Sequence, residues 1–276
     1  MRLVGNIAKL KSAMQQPIHY WLPIADQLID FNSLIGAPLQ LALTGVIHCI
    51  QCGRKTSKSF QQGYCYPCYK RLLECDCIIH PERCKIYQGK CDSHDWAHAH
   101  CAQPQIVYLA NTSGVKVGVT RETQIPTRWI DQGATQGLPI FRVQNRYQAG
   151  LIEVILKKHV ADKTDWRKML KGYNANIDLI REKQHLLEVT EQNLKVIQQQ
   201  FPGEIEQLDC QQITEILYPV ERYPTSVIPL SFDKTPFVSG RLQGIKGQYL
   251  IFDTGVINMR KFAGYELIFD SDILLK

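Results

Sequence analysis

The sequence predicts an α+β protein: a small antiparallel sheet with helices, preceded by a cysteine-rich module and flanked by β-rich N- and C-terminal regions. Three observations predict it. Leu39, Leu41 and Leu43 alternate with Gln40, Ala42 and Thr44, the period-two pattern of a half-buried strand. Nine of the ten cysteines fall between Cys49 and Cys101. Beyond them, two apolar runs, Ile106 to Ala110 and Val115 to Val119, are joined by the turn composition Asn111-Thr-Ser-Gly114.

These patterns divide the chain into a β-rich region at 1–48, a cysteine module at 49–104, a hairpin-and-helix unit at 105–172, an amphipathic helix within 173–203 and a β-rich region at 204–276. In the last, Gly240, Gly244, Gly247, Gly255 and Gly264 punctuate β-branched and aromatic runs. The two β-rich ends are expected to share one barrel or sheet. Asp253-Thr254-Gly255 presents a carboxylate as an aspartic protease does, but no second copy exists to share its proton, so a tight turn between strands is the preferred reading.

Cys49-Ile-Gln-Cys52 and Cys65-Tyr-Pro-Cys68 are two CxxC pairs separated by twelve residues. Each pair can set two thiolates on one tetrahedral ion at about 2.3 Å, and four sulfurs make a closed structural zinc site. Gly53 and Gly63 supply the turns that aim backbone N–H groups at sulfur. A second zinc is expected on Cys77, Cys84, Cys91 and Cys101, with Cys75 and His80, His94, His98 and His100 as alternates. Zinc here ties loops, since structural zinc binding is worth roughly 10–16 kcal/mol in small fingers. A disulfide framework is the competing reading, but 276 residues suffice for a core without staples. Charges interrupt any apolar run after Met1, and no stretch of about twenty apolar residues exists, so a cytoplasmic protein with no membrane contact is expected.

Thirty-two Lys and Arg against 26 Asp and Glu leave a net charge of +6 and a pI near 8.7. The excess is local: Arg142, Arg146, Lys157, Lys158, Lys163, Arg167, Lys168 and Lys171 face only Glu153, Asp162 and Asp165 in that stretch. DNA or RNA is the expected partner, with Arg121, Arg142, Arg146, Lys157 and Arg167 as phosphate contacts. Arg54, Lys55 and Lys58 also interleave with Tyr64, Tyr66, Tyr69, Lys70 and Arg71 around the first cysteine pairs. Those tyrosines are expected mainly to pack the zinc module, with base stacking the lesser role.

Between 105 and 172 the pattern reads hairpin, helix, strand, helix, with Pro126 in the first turn of one helix, Gly133 at its end, and a second helix from Leu151 to Val160. From Asn174 to Phe201, Ile180, Leu187 and Leu194 recur every seven residues, widened by Ile177, Val189 and Ile197, and Pro202-Gly203 stops the helix. That helix is expected to pack on its own protein, with a homodimer through 174–201 as the alternative.

Ile106-Val-Tyr108, Lys116-Val-Gly118, Thr127-Arg-Trp129 and Glu153 resemble, in order and spacing, the GIY-YIG endonuclease superfamily, and in particular its phage-type branch with a Lys-hydrophobic-Gly second motif. The resemblance covers about a quarter of the chain and implies a GIY-YIG-like sheet in an endonuclease that hydrolyses phosphodiesters with Mg²⁺ or Mn²⁺. It implies that Tyr108 acts on the nucleophilic water, Arg128 binds the scissile phosphate, Glu153 holds the catalytic divalent metal, and Lys116 lowers the tyrosine's pKa or contacts phosphate. The departures are Ile106 for the first glycine and Lys116 for the second tyrosine. Independently, such hydrolysis needs an activated water and a cation against the charge developing on phosphoryl oxygens, and Glu153 sits in the apolar run Leu151-Ile-Glu-Val-Ile-Leu156, where an unpaired charge is costly. Taken singly, each residue has an ordinary role: Tyr108 in a core, Lys116 solvated, Arg128 paired with Asp131 or Glu122, Glu153 paired with Arg128 or Arg146.

Over nearly its whole length the chain is also similar to a bacterial domain-of-unknown-function family, number 2797, on Gly63-Tyr-Cys-Tyr-Pro-Cys68, Ile125-Pro-Thr-Arg-Trp-Ile-Asp-Gln-Gly133, Asp165-Trp-Arg-Lys-Met-Leu-Lys171 and Gly244-Ile-Lys-Gly-Gln-Tyr-Leu-Ile-Phe-Asp253. Two functional readings follow: a divalent-metal-dependent endonuclease, or a zinc-stabilised nucleic-acid-binding or assembly protein that uses the same unit as a non-catalytic phosphate grip.

Overall fold

A computed structural model describes residues 2–72, 80–89, 91, 94–160, 164–173 and 176–271. Cys75, Cys77, Lys163 and the expected helix start at Asn174 lie outside the described residues. The chain forms two compact units: Met1–Leu72 with Leu170–Gly172 and Leu217–Lys276, and Leu73–Met169 with Tyr173–Ile216. The cut at residue 72 splits the expected 49–104 module, and residues up to 216 join the second unit, not the C-terminal β-rich region.

The first unit opens with strands β1 (Arg2–Asn6), β2 (Lys11–Ala13), β3 (His19–Ile24), β4 (Gln27–Asp30) and β5 (Pro38–Ile47), followed by helix α1 (Tyr66–Arg71). The alternation at 39–44 is realised in β5, whose Leu39 and Leu41 are buried while Gln40 and Thr44 face outward. Strands β2, β3 and β4 make a three-stranded antiparallel sheet.

The second unit contains α2 (His94–His100), β6 (Gln105–Asn111), β7 (Val115–Arg121), α3 (Thr127–Asp131), β8 (Gln136–Val143), α4 (Arg146–Leu156), α5 (Trp166–Leu170), which runs to the unit boundary, α6 (Leu179–Gln200), β9 (Ile205–Gln207) and β10 (Thr214–Glu215). Its antiparallel sheet runs β10-β8-β6-β7, with β9 beside β8. The apolar periodicity predicts a helix over 151–160; α4 starts five residues earlier, because the Asn145 side chain accepts the Gln148 N–H at 3.1 Å and so satisfies an otherwise orphaned donor. Asp178 caps α6 the same way, accepting from Ile180 and Arg181.

Val107, Leu109 and Val117 of the sheet pack with Ala149, Ile152 and Leu156 of α4 and Leu179, Leu186 and Leu194 of α6. Each of these Val, Leu and Ile side chains contributes roughly 1.5–3 kcal/mol by leaving water. The buried stripe of α6 is Leu179, Lys183, Leu186, Thr190, Leu194 and Ile197, so the heptad anticipated at Ile180 and Leu187 falls on its flank and Val189 is exposed. Lys183 is tolerated there because its Nζ donates to the carbonyls of Leu208, at 2.6 Å, and Cys210, at 3.0 Å.

The chain then returns to the first unit with β11 (Phe237–Lys246), β12 (Tyr249–Phe252), β13 (Gly255–Asn258) and β14 (Tyr265–Ser271). These complete a six-stranded antiparallel sheet, β1-β14-β5-β11-β12-β13, so both ends of the chain share one sheet. Asp253-Thr254 is the two-residue turn between β12 and β13, with Phe252 paired to Gly255. Its carboxylate accepts the Arg241 N–H at 2.9 Å, which explains Asp253 without chemistry. Among the described residues no helix is long and apolar enough to cross a membrane.

Candidate metal centre and candidate active site

Strand β5 runs out at Ile47 into a knuckle in which Gly53 N–H returns to the Cys49 carbonyl and Cys49 N–H to that of Arg54. The backbone turns left-handed at Gly53, and Gly63 packs on Ile50, where a Cβ would stand 2.8 Å from two Ile50 carbons. Cys65 then caps α1 and Cys68 sits one turn along it. The result brings the sulfurs of Cys49, Cys52, Cys65 and Cys68 within 4.8 Å of one another. Cys52 and Cys65 sulfurs are 3.8 Å apart; thiolates about 2.3 Å from a tetrahedral ion are spaced by about 3.8 Å, whereas a disulfide closes to about 2.05 Å. None of the eight described cysteines is in a disulfide.

The electrostatics ask for a cation. Burial opposes a thiolate at Cys49, but backbone N–H groups of Cys65, Cys52 and Gln51 outweigh it and draw the pKa down to about 6. The Arg54 backbone likewise lowers Cys52. At Cys68, burial and then the sulfurs of Cys65, Cys52 and Cys49 push the thiol up to about 12. A site that favours thiolate at two positions and repels it at another is balanced by a divalent ion bonded to all four.

The second unit holds the other site. Tyr108 is in β6 and Gly118 lies directly opposite it in β7. A Cβ on Gly118 would stand 2.6 Å from the phenol oxygen, so the glycine leaves the room through which the ring crosses toward the edge strand. From α3, Trp129 packs edge-on against the Tyr108 ring with centroids 5.9 Å apart. The phenol donates to Gln132 Oε1 at 3.0 Å, and the Arg128 guanidinium acts on the phenol oxygen both as a charge and as a hydrogen-bond donor. Glu153 of α4 is near enough for its charge to act on the phenol. Burial pushes the Tyr108 pKa up, Arg128 opposes that rise, and Glu153 adds to it.

Tyr108, Gly118, Arg128 and Glu153 are thus brought together, with the cation on the phenol supplied from α3 by Arg128. Lys116 is buried in β7 opposite Ala110, two residues along from Tyr108. The motif pattern did not expose Gln132 as a partner, although its place one helical turn after Arg128 puts the two on one face.

A family model described as "Protein of unknown function (DUF2797)" matches residues 36–267, which spans both sites. The chain belongs to this family. No curated protein and no solved structure matches it at a significant level.

In this DUF2797 member the expected second zinc set is described only in part. Cys84 and Cys101 are buried and Cys91 is half-buried, while Cys77 lies outside the described residues. Among the described residues the four-cysteine cluster is the one group of three or more ligands drawn together. Arg142, expected to meet phosphate, is held by both oxygens of Glu122, at 2.9 and 3.2 Å. Arg121 donates to the Ala99 carbonyl at 3.3 Å, and burial with the nearby Arg146 charge lowers its pKa. Arg167 lies 4.4 Å from the Trp166 ring, and Lys157 closes the end of α4.

Proposed function

We propose that this DUF2797 chain is a zinc-stabilised, divalent-metal-dependent endonuclease that hydrolyses phosphodiester bonds in DNA or RNA. The observation that carries the reading is the convergence of a tyrosine hydroxyl, a guanidinium and a carboxylate, Tyr108, Arg128 and Glu153, beside the Gly118 gap in an edge strand.

Each group has a role that its chemistry suits. Arg128 carries a permanent fork of donors matched to a phosphate's oxygens. Tyr108 can orient a water and receive its proton only as the phenolate that Arg128 favours; Gln132 fixes the direction of its hydroxyl. Glu153 is a single half-buried carboxylate, which fits Mg²⁺ or Mn²⁺, ions held through one or two carboxylates with substrate phosphate and water completing the shell. Such an ion supplies charge against the developing phosphoryl negative charge. For the four cysteines we assign Zn²⁺, since an all-thiolate set of this spacing is closed and structural.

A specific observation favours a second reading. The Tyr108 side chain is 0% exposed, and a phenol that stays covered cannot reach a water on substrate. In that reading the same residues form a phosphate grip without turnover. Labelled single-stranded, duplex and branched DNA and structured RNA, incubated with Mg²⁺ or Mn²⁺, separate the two. Cleavage by the native chain, abolished in Glu153→Gln with binding intact, is expected; salt-dependent binding weakened by Arg128→Ala, with no cleavage by either chain, leaves the grip alone.

A further inference from the structure

The zinc module presents a surface that the site at Tyr108 does not use. Tyr66 and Tyr69 occupy one face of α1, three residues apart, and are 54% and 37% exposed. Both rings are supported from below by Phe60, which lies 5.4 Å from the Tyr66 ring and is stacked on Tyr69 at 5.8 Å with an interplanar angle of 18°. Lys58 sits over the Phe60 ring at 5.5 Å. Tyr66 and Tyr69 hydroxyls have no hydrogen-bond partner among the described residues. The tyrosines are expected mainly to pack the module, but Tyr66 and Tyr69 turn outward, and it is Phe60 that lies against both rings.

Charge points to what covers them. From Cys49 to Leu73 the chain has Arg54, Lys55, Lys58, Lys70 and Arg71 and no acidic residue. Four thiolates and one divalent ion leave that segment with a net positive charge. Arg54 is engaged by the Cys52 sulfur, and Lys58 helps hold the Asp233 carboxyl below its usual range. Lys55, Lys70 and Arg71 are exposed, and none is in an ion pair among the described residues. Rigid exposed aromatic faces flanked by unpaired cations match a single-stranded polynucleotide, whose bases stack on rings and whose phosphates meet the ammonium and guanidinium groups. A duplex offers no open base faces, and an acidic protein would use the cations without needing the rings.

We propose that Tyr66 and Tyr69, with Lys70 and Arg71, form a binding platform for single-stranded nucleic acid. The inference rests on the reading of the chain as acting on nucleic acid, and it adds the strand state and the face. The test uses the full chain carrying Glu153→Gln, without added Mg²⁺, and fluorescence anisotropy with labelled 15-mer oligothymidylate, 15-mer oligouridylate and a 15-base-pair duplex. Both single strands, or one of them if sugar identity is read, are expected to bind more tightly than duplex. Tyr66→Leu and Tyr69→Leu are each expected to weaken single-strand binding about tenfold, while Tyr66→Phe and Tyr69→Phe bind as the parent does. Lys70→Gln with Arg71→Gln should flatten the slope of log K against log salt by about 1.4, the loss of two phosphate contacts. Zinc content and melting temperature are measured for every variant, so a misfolded one is recognised. Parent-like binding by both Leu variants, or a preference for duplex, overturns the platform. Ring-dependent binding, when the native chain with Mg²⁺ or Mn²⁺ cleaves nothing, sinks the nuclease reading and leaves the platform, whereas cleavage by the native chain with ring-independent binding does the reverse.

Discussion

Tyr108 lies across Gly118 in the β6–β7 pair so closely that one added methyl group would stand 2.6 Å from the phenol oxygen. The glycine is a spacing requirement of the site, because its backbone is extended and asks for no special φ. Gly118→Ala is expected to destabilise the chain by about 1–3 kcal/mol through overpacking. In a Tyr108→Ala background the same substitution should cost much less, a coupling that urea denaturation of the double-mutant cycle would read directly.

Removing a ligand from the four-cysteine cluster should empty it. Cys65→Ser is expected to abolish zinc binding, measured by atomic spectroscopy on the purified chain, and to cost more than about 4 kcal/mol. The affinity of the site should also fall with pH. Cys49 has a folded pKa of about 6 against an ordinary 9.0, so its thiolate contributes stability above pH 9 that is lost as pH falls through 6. Because Cys68 is held as a thiol, up to about 12, metal uptake at pH 8 should release protons, detectable with an indicator dye. Uptake with no proton release would count against these assignments.

The Tyr108 phenol should ionise above its ordinary value of 10.0, since burial outweighs Arg128. A raised phenol stabilises the fold below pH 10 relative to higher pH, and that contribution is lost as pH rises toward the folded value. Tyr108→Phe is therefore expected to flatten the alkaline limb of the stability curve. Arg128→Ala, by removing the favourable cation, should steepen it. Denaturant midpoints between pH 8 and 11 would separate the three chains.

In the first unit, Lys246 is 1% exposed, with its ammonium 5.4 Å from the ring centres of both Tyr218 and Tyr223. Burial draws its pKa from 10.5 to about 8. The unfolded chain then binds more protons than the folded one between pH 8 and 10.5, so stability should rise with pH across that window. Lys246→Met should remove the rise. At pH 7 it would relieve about 3 kcal/mol of charge burial and lose two ring contacts of order 1 kcal/mol each, leaving the variant about as stable as the parent or slightly more so.

Lys183→Met should behave in the opposite way, although the two lysines look alike in sequence. Lys183 Nζ satisfies the carbonyls of Leu208 and Cys210, and a methionine takes that donor away from two half-buried residues. A loss of about 2–4 kcal/mol in urea denaturation is expected. Burial against two aromatic rings and burial with two carbonyls are thus distinguished by one substitution at each position.

Local chemistry by itself determined a good part of this protein. The CxxC spacing and the glycines beside it specify a four-sulfur knuckle because ligand reach is set within a few residues. The alternation at Leu39 to Thr44 determined a strand, and Asn111-Thr-Ser-Gly114 a hairpin that sets Tyr108 opposite Gly118. What only the tertiary structure decided depends on contacts far apart in the chain. The buried stripe of α6 is shifted off the Ile180–Leu187 heptad because Lys183 finds carbonyls at 208 and 210. Arg142 is taken by Glu122, and Arg128 is left to face Tyr108, a choice of pairing that helix periodicity does not encode. Tyr66 and Tyr69 face outward because Phe60, brought back by the knuckle, already fills the space beneath them.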